Sequence, residues 1–175
     1  MVYTGIVRMP QMAIAAKVPF AGEWVDLMAQ YYTTTADIYR IFGELPAGTG
    51  LLATADNGEK SIDGFEWPLV RMLELDTDAN NRDRWKRFIE YLAEQQLRLI
   101  QYRCERLLAK PSRSSNAPLV GAGLRRFLIK RIGRRLSHPC VGIESLFTND
   151  ENIAFKEAEC TPAVAMASLA LEGSK

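Results

Sequence analysis

The sequence is poor in the residues that most metal and nucleophile sites need. It has one histidine, His138, and three scattered cysteines, Cys104, Cys140 and Cys160. An odd cysteine count without a Cys-x-x-Cys pair fits neither a disulfide framework nor a zinc site. Motifs of zinc proteases, serine hydrolases and P-loop enzymes are also absent from the sequence. His138 precedes Pro139, and no Ser, Asp or Cys lies at a spacing from it that is typical of a catalytic motif. We therefore interpret His138 as a surface or turn residue.

Long apolar runs are missing as well. No stretch approaches the roughly 18 apolar residues of a membrane-spanning helix, and the first residues do not form a signal peptide. Together with unpaired cysteines, this predicts a cytoplasmic protein without a membrane partner. Of 175 residues, 47% are hydrophobic and 25% are charged. That composition suffices for one core, and it predicts a single domain over residues 1–175.

Charge is unevenly spread although the formal net charge is only +1. Residues 1–77 hold 5 Lys and Arg against 10 Asp and Glu, a net of −5, so residues 78–175 carry +6. Apolar residues at helical spacing interrupt the most basic run, which predicts an amphipathic helix with a solvated cationic face. The alternative is a surface that binds nucleic acid, a membrane surface or a polyanionic small molecule. No nucleic-acid motif accompanies it, and nucleic acid is not an expected partner. The basic residues are Arg125, Arg126, Lys130, Arg131, Arg134 and Arg135.

Periodicity and chain-breaking residues divide the first part of the sequence into elements. Residues 2–8 predict a strand, and residues 12–24 predict one or two more, interrupted near Gly22. Residues 35–42 predict a short helix. Residues 47–61 are rich in Gly, Thr, Ala and Asp, which predicts an exposed loop.

A long helix is the element that periodicity indicates most strongly, within a mostly helical segment over residues 62–110. A polar connector over residues 111–118 follows, and then a short strand runs through glycines into the basic helix. Residues 140–143 predict another strand, and residues 162–171 a last helix. The apolar stripe of the long helix comprises Trp85, Phe88, Ile89, Leu92, Leu97, Ile100, Cys104, Leu107 and Leu108.

A Thr-Ala-Asp unit occurs twice, as Thr35-Ala36-Asp37 after Thr34 and as Thr54-Ala55-Asp56. Each places hydroxyls and a carboxylate beside a turn or helix start. Helix N-termini present free N–H groups and favour anions, so both units are candidates for holding phosphate, a metal or a polar substrate. The alternative is structural, because Thr and Asp are also ordinary capping residues.

The glycine corner Gly121-Ala122-Gly123 follows the apolar Leu119-Val120 and precedes the basic helix. Strand, glycine turn and helix in this order are typical of phosphate-binding and nucleotide-binding corners. The alternative is structural, because two glycines after a strand can simply allow the following helix to pack closely against that strand.

The order of several separated segments resembles the hydantoinase A/oxoprolinase-like family linked to tetrahydromethanopterin-dependent one-carbon metabolism. The resemblance covers nearly the whole chain. The segments are VYTGIVRMP (residues 2–10), VPFAGEW (18–24), TTADIYRIFGEL (34–45), TAD (54–56), VGAGLRRFL (120–128) and EAECTPAVA (157–165).

The resemblance implies an α/β fold, namely the C-terminal RNase H-like half of an actin-like ATPase fold with a helical insertion. It also implies an enzyme of methanofuran biosynthesis. The archaeal synthase branch of the family joins γ-glutamyltyramine, a phenolic acceptor, to an aminomethylfuran-methyl diphosphate and releases diphosphate. The expected partners are therefore a small-molecule diphosphate substrate and a phenol.

The resemblance also suggests roles for individual residues. Asp37 or Asp56 is expected to act as the general base for the phenol or to hold Mg²⁺ on the diphosphate. The expected diphosphate or nucleotide contacts are Thr34, Thr35, Lys60, Gly121, Ala122 and Gly123.

Family members normally have two Asp-x-Gly loops upstream of the segment at residues 2–10, and neither occurs here. Arg125 also stands where the family has a further glycine. The chain is therefore expected to be inactive alone and to need its missing N-terminal half. Assembly into a homo-oligomer is a further expectation that the sequence leaves open. Two alternatives remain: an ATP-dependent kinase or hydantoinase/oxoprolinase-type hydrolase, and a non-catalytic fragment that folds with a partner half.

Overall fold

The computed structural model describes residues 4–45, 69–75, 82–111 and 116–146, and five single positions between 163 and 170. The described residues form a mixed structure of helices and short strands. The chain divides into two compact units, Met1–Cys104 and Glu105–Lys175. The single domain and the actin-like architecture stay predictions. The loop predicted at residues 47–61 lies outside the described residues.

A β-hairpin opens the regular structure of the first unit, after a 3₁₀ helix at Gln11–Ala13. Strands β1 (Lys17–Phe20) and β2 (Glu23–Asp26) pair antiparallel. Ala21 and Gly22 form the turn with φ of 52° and 93°. Positive φ at both positions is what the tight hairpin turns that match strand twist require. The sequence predicts one or two strands within residues 12–24; the structure has two, and the second extends to Asp26.

Helix α1 (Thr35–Ile41) follows the hairpin. Its N-cap residue, Thr34, has an extended backbone at φ −127° and ψ 172°. Gly43 stops the chain from continuing as helix, with φ of 67°; glycine adopts this left-handed conformation at little cost. The predicted short helix is confirmed.

Helix α2 (Arg82–Leu108) is the longest described element. Its predicted apolar stripe is confirmed where Phe88, Ile89, Leu92 and Leu97 are buried. The prediction is wrong at Leu107, which is 42% exposed, because the periodicity continues beyond the point where the described core covers the helix. No described helix combines the length and apolarity needed to cross a membrane.

The core of the first unit is built around three aromatic rings from β1 and α2. The Phe20 ring centroid lies 4.6 Å from that of Trp85 and 6.5 Å from that of Phe88. Such tilted and edge-to-face contacts add to the hydrophobic gain of burying large rings. The buried cluster comprises Val18, Phe20, Leu27, Ile38, Leu69, Met72, Leu73, Phe88, Ile89 and Leu92.

The second unit contains a small parallel β-α-β arrangement. Strand β3 (Leu119–Gly121) pairs in parallel with β4 (Cys140–Gly142), and helix α3 (Arg126–Arg135) connects them after a 3₁₀ turn at Gly123–Arg125. These elements confirm the strand, glycine turn, basic helix and second strand that the sequence predicts. A further 3₁₀ helix, Ile143–Leu146, follows β4.

Helix α3 buries the apolar stripe predicted for it. Leu128 and Ile132 are 1% and 0% exposed, whereas Phe127 and Leu136 are half-buried. The predicted last helix is supported at five separate helical positions: Ala163, Met166, Ala167, Leu169 and Ala170.

The strand predicted at residues 2–8 is wrong for its described part, because Thr4 and Gly5 are irregular and residues 6–8 form a bend. Side chains from distant elements bond these residues. Gln96 Nε2 donates to Thr4 Oγ1 and to the Gly5 carbonyl, each at 2.7 Å. The Thr35 hydroxyl donates to the same carbonyl at 2.7 Å. Polar groups engaged in this way are not available for a strand ladder.

Candidate functional site

The first Thr-Ala-Asp unit lies at the start of α1, where it forms a capping box. The Thr34 backbone N–H donates to Asp37 Oδ2 at 2.7 Å, and the Thr34 hydroxyl donates to the same oxygen at 3.3 Å. Both residues are buried. In a capping box, residues at the N-cap and N3 positions satisfy each other's polar groups. The structure therefore gives Asp37 a structural task, and its catalytic and metal-binding roles stay predictions.

Arg40 provides Asp37 with a charge partner. Its Nη1 lies 3.5 Å from Asp37 Oδ1, and the two side chains are only 17% and 7% exposed. A buried carboxylate needs such compensation, because desolvation otherwise penalises its charge. The sequence contained a signal for this pair, since residues three apart on a helix are neighbours.

The Thr35 side chain faces inward. It is fully buried, and its hydroxyl donates to the Gly5 carbonyl as described above. Its backbone N–H donates to the Met9 carbonyl at 2.9 Å. Together with the Pro10–Thr34 bridge, these bonds fasten the start of α1 to residues 5–10. Thr34, Thr35 and Asp37 are therefore held in fixed positions by the surrounding chain.

Sequence reasoning missed a buried amide at the centre of this region. Gln96 is 0% exposed and accepts a 2.6 Å hydrogen bond from the Tyr39 hydroxyl. Through its bonds to residues 4 and 5, it links α2, α1 and the segment that precedes the hairpin. Its place on the buried face, one turn after Leu92, was a signal available in the sequence.

Two further buried polar residues lie in the same stretch. Gln11 and Thr33 are both 0% exposed. Gln11 Oε1 and Thr33 Oγ1 have no hydrogen-bond partner among the described residues. Gln11 Nε2 donates to the Thr34 carbonyl at 3.5 Å, which is a long bond. The region around Thr34 thus combines satisfied and unsatisfied buried oxygen atoms.

Asp56 and Lys60, the other predicted site residues of the first unit, lie outside the described residues. No group of three or more His, Cys, Asp or Glu side chains among the described residues could hold a metal ion. At Asp37 the Arg40 guanidinium adds positive charge, which opposes the approach of a cation. Asp37 alone is therefore a poor Mg²⁺ site, and a role for Asp56 in binding the ion stays a prediction.

The glycine corner belongs to the second unit. A Cβ atom on Gly121 would lie 3.3 Å from Arg126 Cβ and 3.4 Å from its Cα, which is a tight contact. Gly123 has φ of 66°, and a Cβ there would meet nothing within 4 Å. Close packing explains the first glycine and backbone conformation the second. Contact of Gly121, Ala122 and Gly123 with phosphate stays a prediction.

His138 lies in the loop between α3 and β4. Its Nε2 lies 2.7 Å from the Ala117 carbonyl. A carbonyl only accepts hydrogen bonds, so Nε2 carries the proton in this contact. The turn role interpreted for His138 agrees with this geometry.

The chain is similar to an archaeal synthase. It is 28% identical over 123 residues to the (4-{4-[2-(gamma-L-glutamylamino)ethyl]phenoxymethyl}furan-2-yl)methanamine synthase of Methanocaldococcus jannaschii. The aligned part is 70% of this chain and 37% of the relative, so the chain spans much less than the length of the curated protein that it matches. No protein-family model matches the chain.

Proposed function

We propose that this chain is part of a cofactor-biosynthesis enzyme that acts in the formation of methanofuran. The observation that carries the proposal is its 28% identity to a synthase named for an aryl ether of aminomethylfuran. The aligned part is long, at 70% of this chain. Membership of the hydantoinase A/oxoprolinase-like group and the actin-like architecture are parts of the same proposal.

The proposed reaction forms one carbon–oxygen bond and breaks another. The phenol oxygen of γ-glutamyltyramine attacks the furanyl methylene carbon, and the bond from that carbon to diphosphate breaks. The phenol proton passes to a general base, and diphosphate leaves with the bonding electrons. Such a step needs a carboxylate near the phenol and positive charge or hydrogen-bond donors near the leaving group.

Asp37 and Asp56 are the proposed carboxylates. Asp37 is a buried acceptor held by Thr34 and Arg40, which supports a fixed base more than a metal ligand. Asp56 is then the proposed Mg²⁺ ligand. When bound, Mg²⁺ would neutralise charge that develops on the diphosphate.

Thr34, Thr35 and Lys60 are the proposed diphosphate contacts of the first unit. Gly121, Ala122 and Gly123 of the second unit are considered by themselves, as proposed diphosphate or nucleotide contacts. The Thr35 hydroxyl already donates to a backbone carbonyl, so Thr35 serves better to position its neighbours. Because the aligned part covers 37% of the relative, we propose that the complete active site also needs residues like those of the relative outside the aligned part, or a second copy of the chain.

The test is a reconstitution assay on the full 175-residue chain. The chain is mixed with the segment of the M. jannaschii synthase that lies outside the alignment, and with the phenol and the furanyl diphosphate. Mass spectrometry detects the ether, and a colorimetric assay detects diphosphate. Ether formation only in the mixture supports the proposal. If the mixture makes no ether while the intact relative does, the proposed reaction is wrong for this chain.

Asp37→Asn and Asp56→Asn in the reconstituted assay test the residue roles. Each variant is expected to lower turnover by orders of magnitude, since an amide cannot serve as the base at position 37 and offers Mg²⁺ only an uncharged oxygen at position 56. Asparagine can still accept the capping hydrogen bond, so far-UV circular dichroism should not change for Asp37→Asn. Unchanged turnover in both variants would remove these residues from the mechanism.

A second candidate is an ATP-dependent kinase or a hydrolase of the hydantoinase/oxoprolinase type, which the strand, glycine turn and helix at Gly121–Gly123 favour. Phosphate release from ATP in the same mixture, without ether formation, would select this candidate. A non-catalytic half would bind the missing segment and show neither activity.

A further inference from the structure

An open depression lies in the second unit where α3 ends and β4 begins. Its cavity volume is about 460 Å³, which is within the usual range for small-molecule sites. Lys130, Gly133, Arg134, Ser137, His138 and Cys140 line it. None of the roles considered above uses this depression.

Two cations that have no ion-pair partner among the described residues flank the depression. Lys130 and Arg134 are one helical turn apart, and both are exposed. Neither makes an ion pair or a side-chain hydrogen bond with the residues that the structure describes. By contrast, Arg126, Arg131 and Arg135 on the same helix all take part in interactions. Lys130 and Arg134 are thus the cations of α3 that remain available to a ligand.

Among the residues that the structure describes, no carboxylate lines the depression. Residues 116–146 hold 6 Lys and Arg against Glu144 as the single acidic residue, a net of +5. An anion therefore meets a field of one sign as it approaches. Lys and Arg groups supply charge-assisted hydrogen bonds, and the exposed Ser137 hydroxyl is a further donor.

The shape of the depression is fixed by close backbone packing. A Cβ on Gly133 would lie 3.0 Å from Cys140 Cβ and 3.2 Å from the His138 carbonyl oxygen. Ser137 has φ of 48°, which turns the chain sharply after α3. The bond from His138 Nε2 to the Ala117 carbonyl holds the loop on its other side. Gly133 therefore lets the start of β4 approach α3 closely beside the two cations.

We propose that this depression binds a small phosphate-bearing molecule through Lys130 and Arg134. The end of α3 carries a partial negative charge of roughly half a unit, but the two full positive charges outweigh it. The site is separate from the glycine corner, because Cys140 begins β4 whereas Gly121 ends its parallel neighbour β3. The proposal does not depend on the synthase reaction.

Inorganic diphosphate is the probe. The full chain is titrated with sodium diphosphate by calorimetry at low ionic strength, with sodium chloride of equal ionic strength as the blank. Lys130→Gln/Arg134→Gln should weaken binding by at least about tenfold, since two charge-assisted hydrogen bonds are lost. Lys86→Gln/Arg87→Gln removes the same charge from exposed positions of α2 and should leave the affinity unchanged. No binding by the unmodified chain, or equal losses in both variants, would overturn the proposal.

Cys140 gives a second measurement that needs no variant. Iodoacetamide is uncharged, and peptide mass spectrometry separates the half-buried thiols of Cys140 and Cys104. Diphosphate should slow alkylation of Cys140 and leave Cys104 unaffected. Equal rates at Cys140 with and without diphosphate would contradict the site. A short single-stranded RNA that binds when diphosphate does not would show that this basic face recognises a polymer.

Discussion

The two compact units differ in charge and in aromatic content. Residues 1–104 hold 11 Lys and Arg against 14 Asp and Glu, a net of −3, whereas residues 105–175 hold 11 against 7, a net of +4. All 3 tryptophans and all 6 tyrosines also lie within residues 1–104. Tryptophan fluorescence therefore reports directly on the first unit, whereas far-UV circular dichroism reports on both. The two units can be perturbed and followed with different probes.

Their described interiors also differ in kind. The first unit packs aromatic and aliphatic side chains and adds a buried polar network centred on Gln96. The second unit has a smaller apolar stripe, and its short strands approach α3 closely at Gly121 and Gly133. The comparison indicates that volume and hydrogen bonding limit substitutions in the first unit, whereas backbone proximity limits them in the second.

Phe88→Ala should have the largest effect on the first unit. Phe88 is 0% exposed and contacts the rings of Phe20 and Trp85. Loss of a buried phenylalanine typically lowers the free energy of unfolding by about 3–5 kcal/mol. Urea unfolding followed by tryptophan fluorescence measures the change. Leu99→Ala on the same helix is the control, because Leu99 is 39% exposed; its effect should be small. Equal effects of the two variants would mean that Phe88 is not in the core.

Gln96→Leu tests the polar part of the same interior. Leucine keeps much of the volume but removes the acceptor of the Tyr39 hydroxyl, which bonds Gln96 Oε1 at 2.6 Å. Leaving a buried polar group without its partner costs about 1–3 kcal/mol. Urea unfolding followed by fluorescence should show a loss of this size.

A double substitution separates this hydrogen bond from packing. In Gln96→Leu/Tyr39→Phe the hydroxyl is removed together with its acceptor, so part of the lost stability should return. The coupling energy from the double-mutant cycle is expected to be about 1 kcal/mol. Strict additivity of the two single substitutions would show that Tyr39 and Gln96 do not stabilise each other.

Local patterns predicted much of the described secondary structure. The three-and-four spacing identified α2 and α3, and glycine positions identified the hairpin turn and the corner after β3. The pattern prediction failed at residues 4–8. The hydrogen-bond partners of Thr4 and Gly5 are Gln96, more than 90 positions away in the sequence, and Thr35. A short segment rich in β-branched residues does not reveal such distant partners.

The candidate site shows a different limit. The Thr34 and Asp37 spacing matches a capping box, whereas the hydroxyls of Thr34 and Thr35 at the same first turn also match a phosphate-binding helix start. Three-dimensional contacts add the Arg40 ion pair and the buried Gln11 and Thr33 oxygens. The depression beside Lys130 was also missed, because it depends on Gly133 facing β4 rather than on a motif.

Gly133→Ala should have the smallest effect of these substitutions, and it tests the second unit. Alanine is favoured over glycine within a helix by about 1 kcal/mol, whereas overpacking typically costs about 1–3 kcal/mol. The neighbouring atoms, Cys140 Cβ and the His138 carbonyl oxygen, are both fixed to the backbone. These atoms cannot rotate away from the added methyl group. We therefore expect the cost of overpacking to exceed the gain in helix propensity, and the free energy of unfolding to fall by about 1 kcal/mol.

The second unit contains no tryptophan, so this change is measured by thermal unfolding with far-UV circular dichroism. Lys130→Ala is the control, because it alters an exposed position of the same helix without adding an atom near β4. An increase in thermal stability for Gly133→Ala would mean that β4 moves to accommodate the methyl group, and that the gain in helix propensity exceeds the packing cost. If tryptophan fluorescence changes at the same temperature as the dichroism, the two units unfold in one cooperative transition.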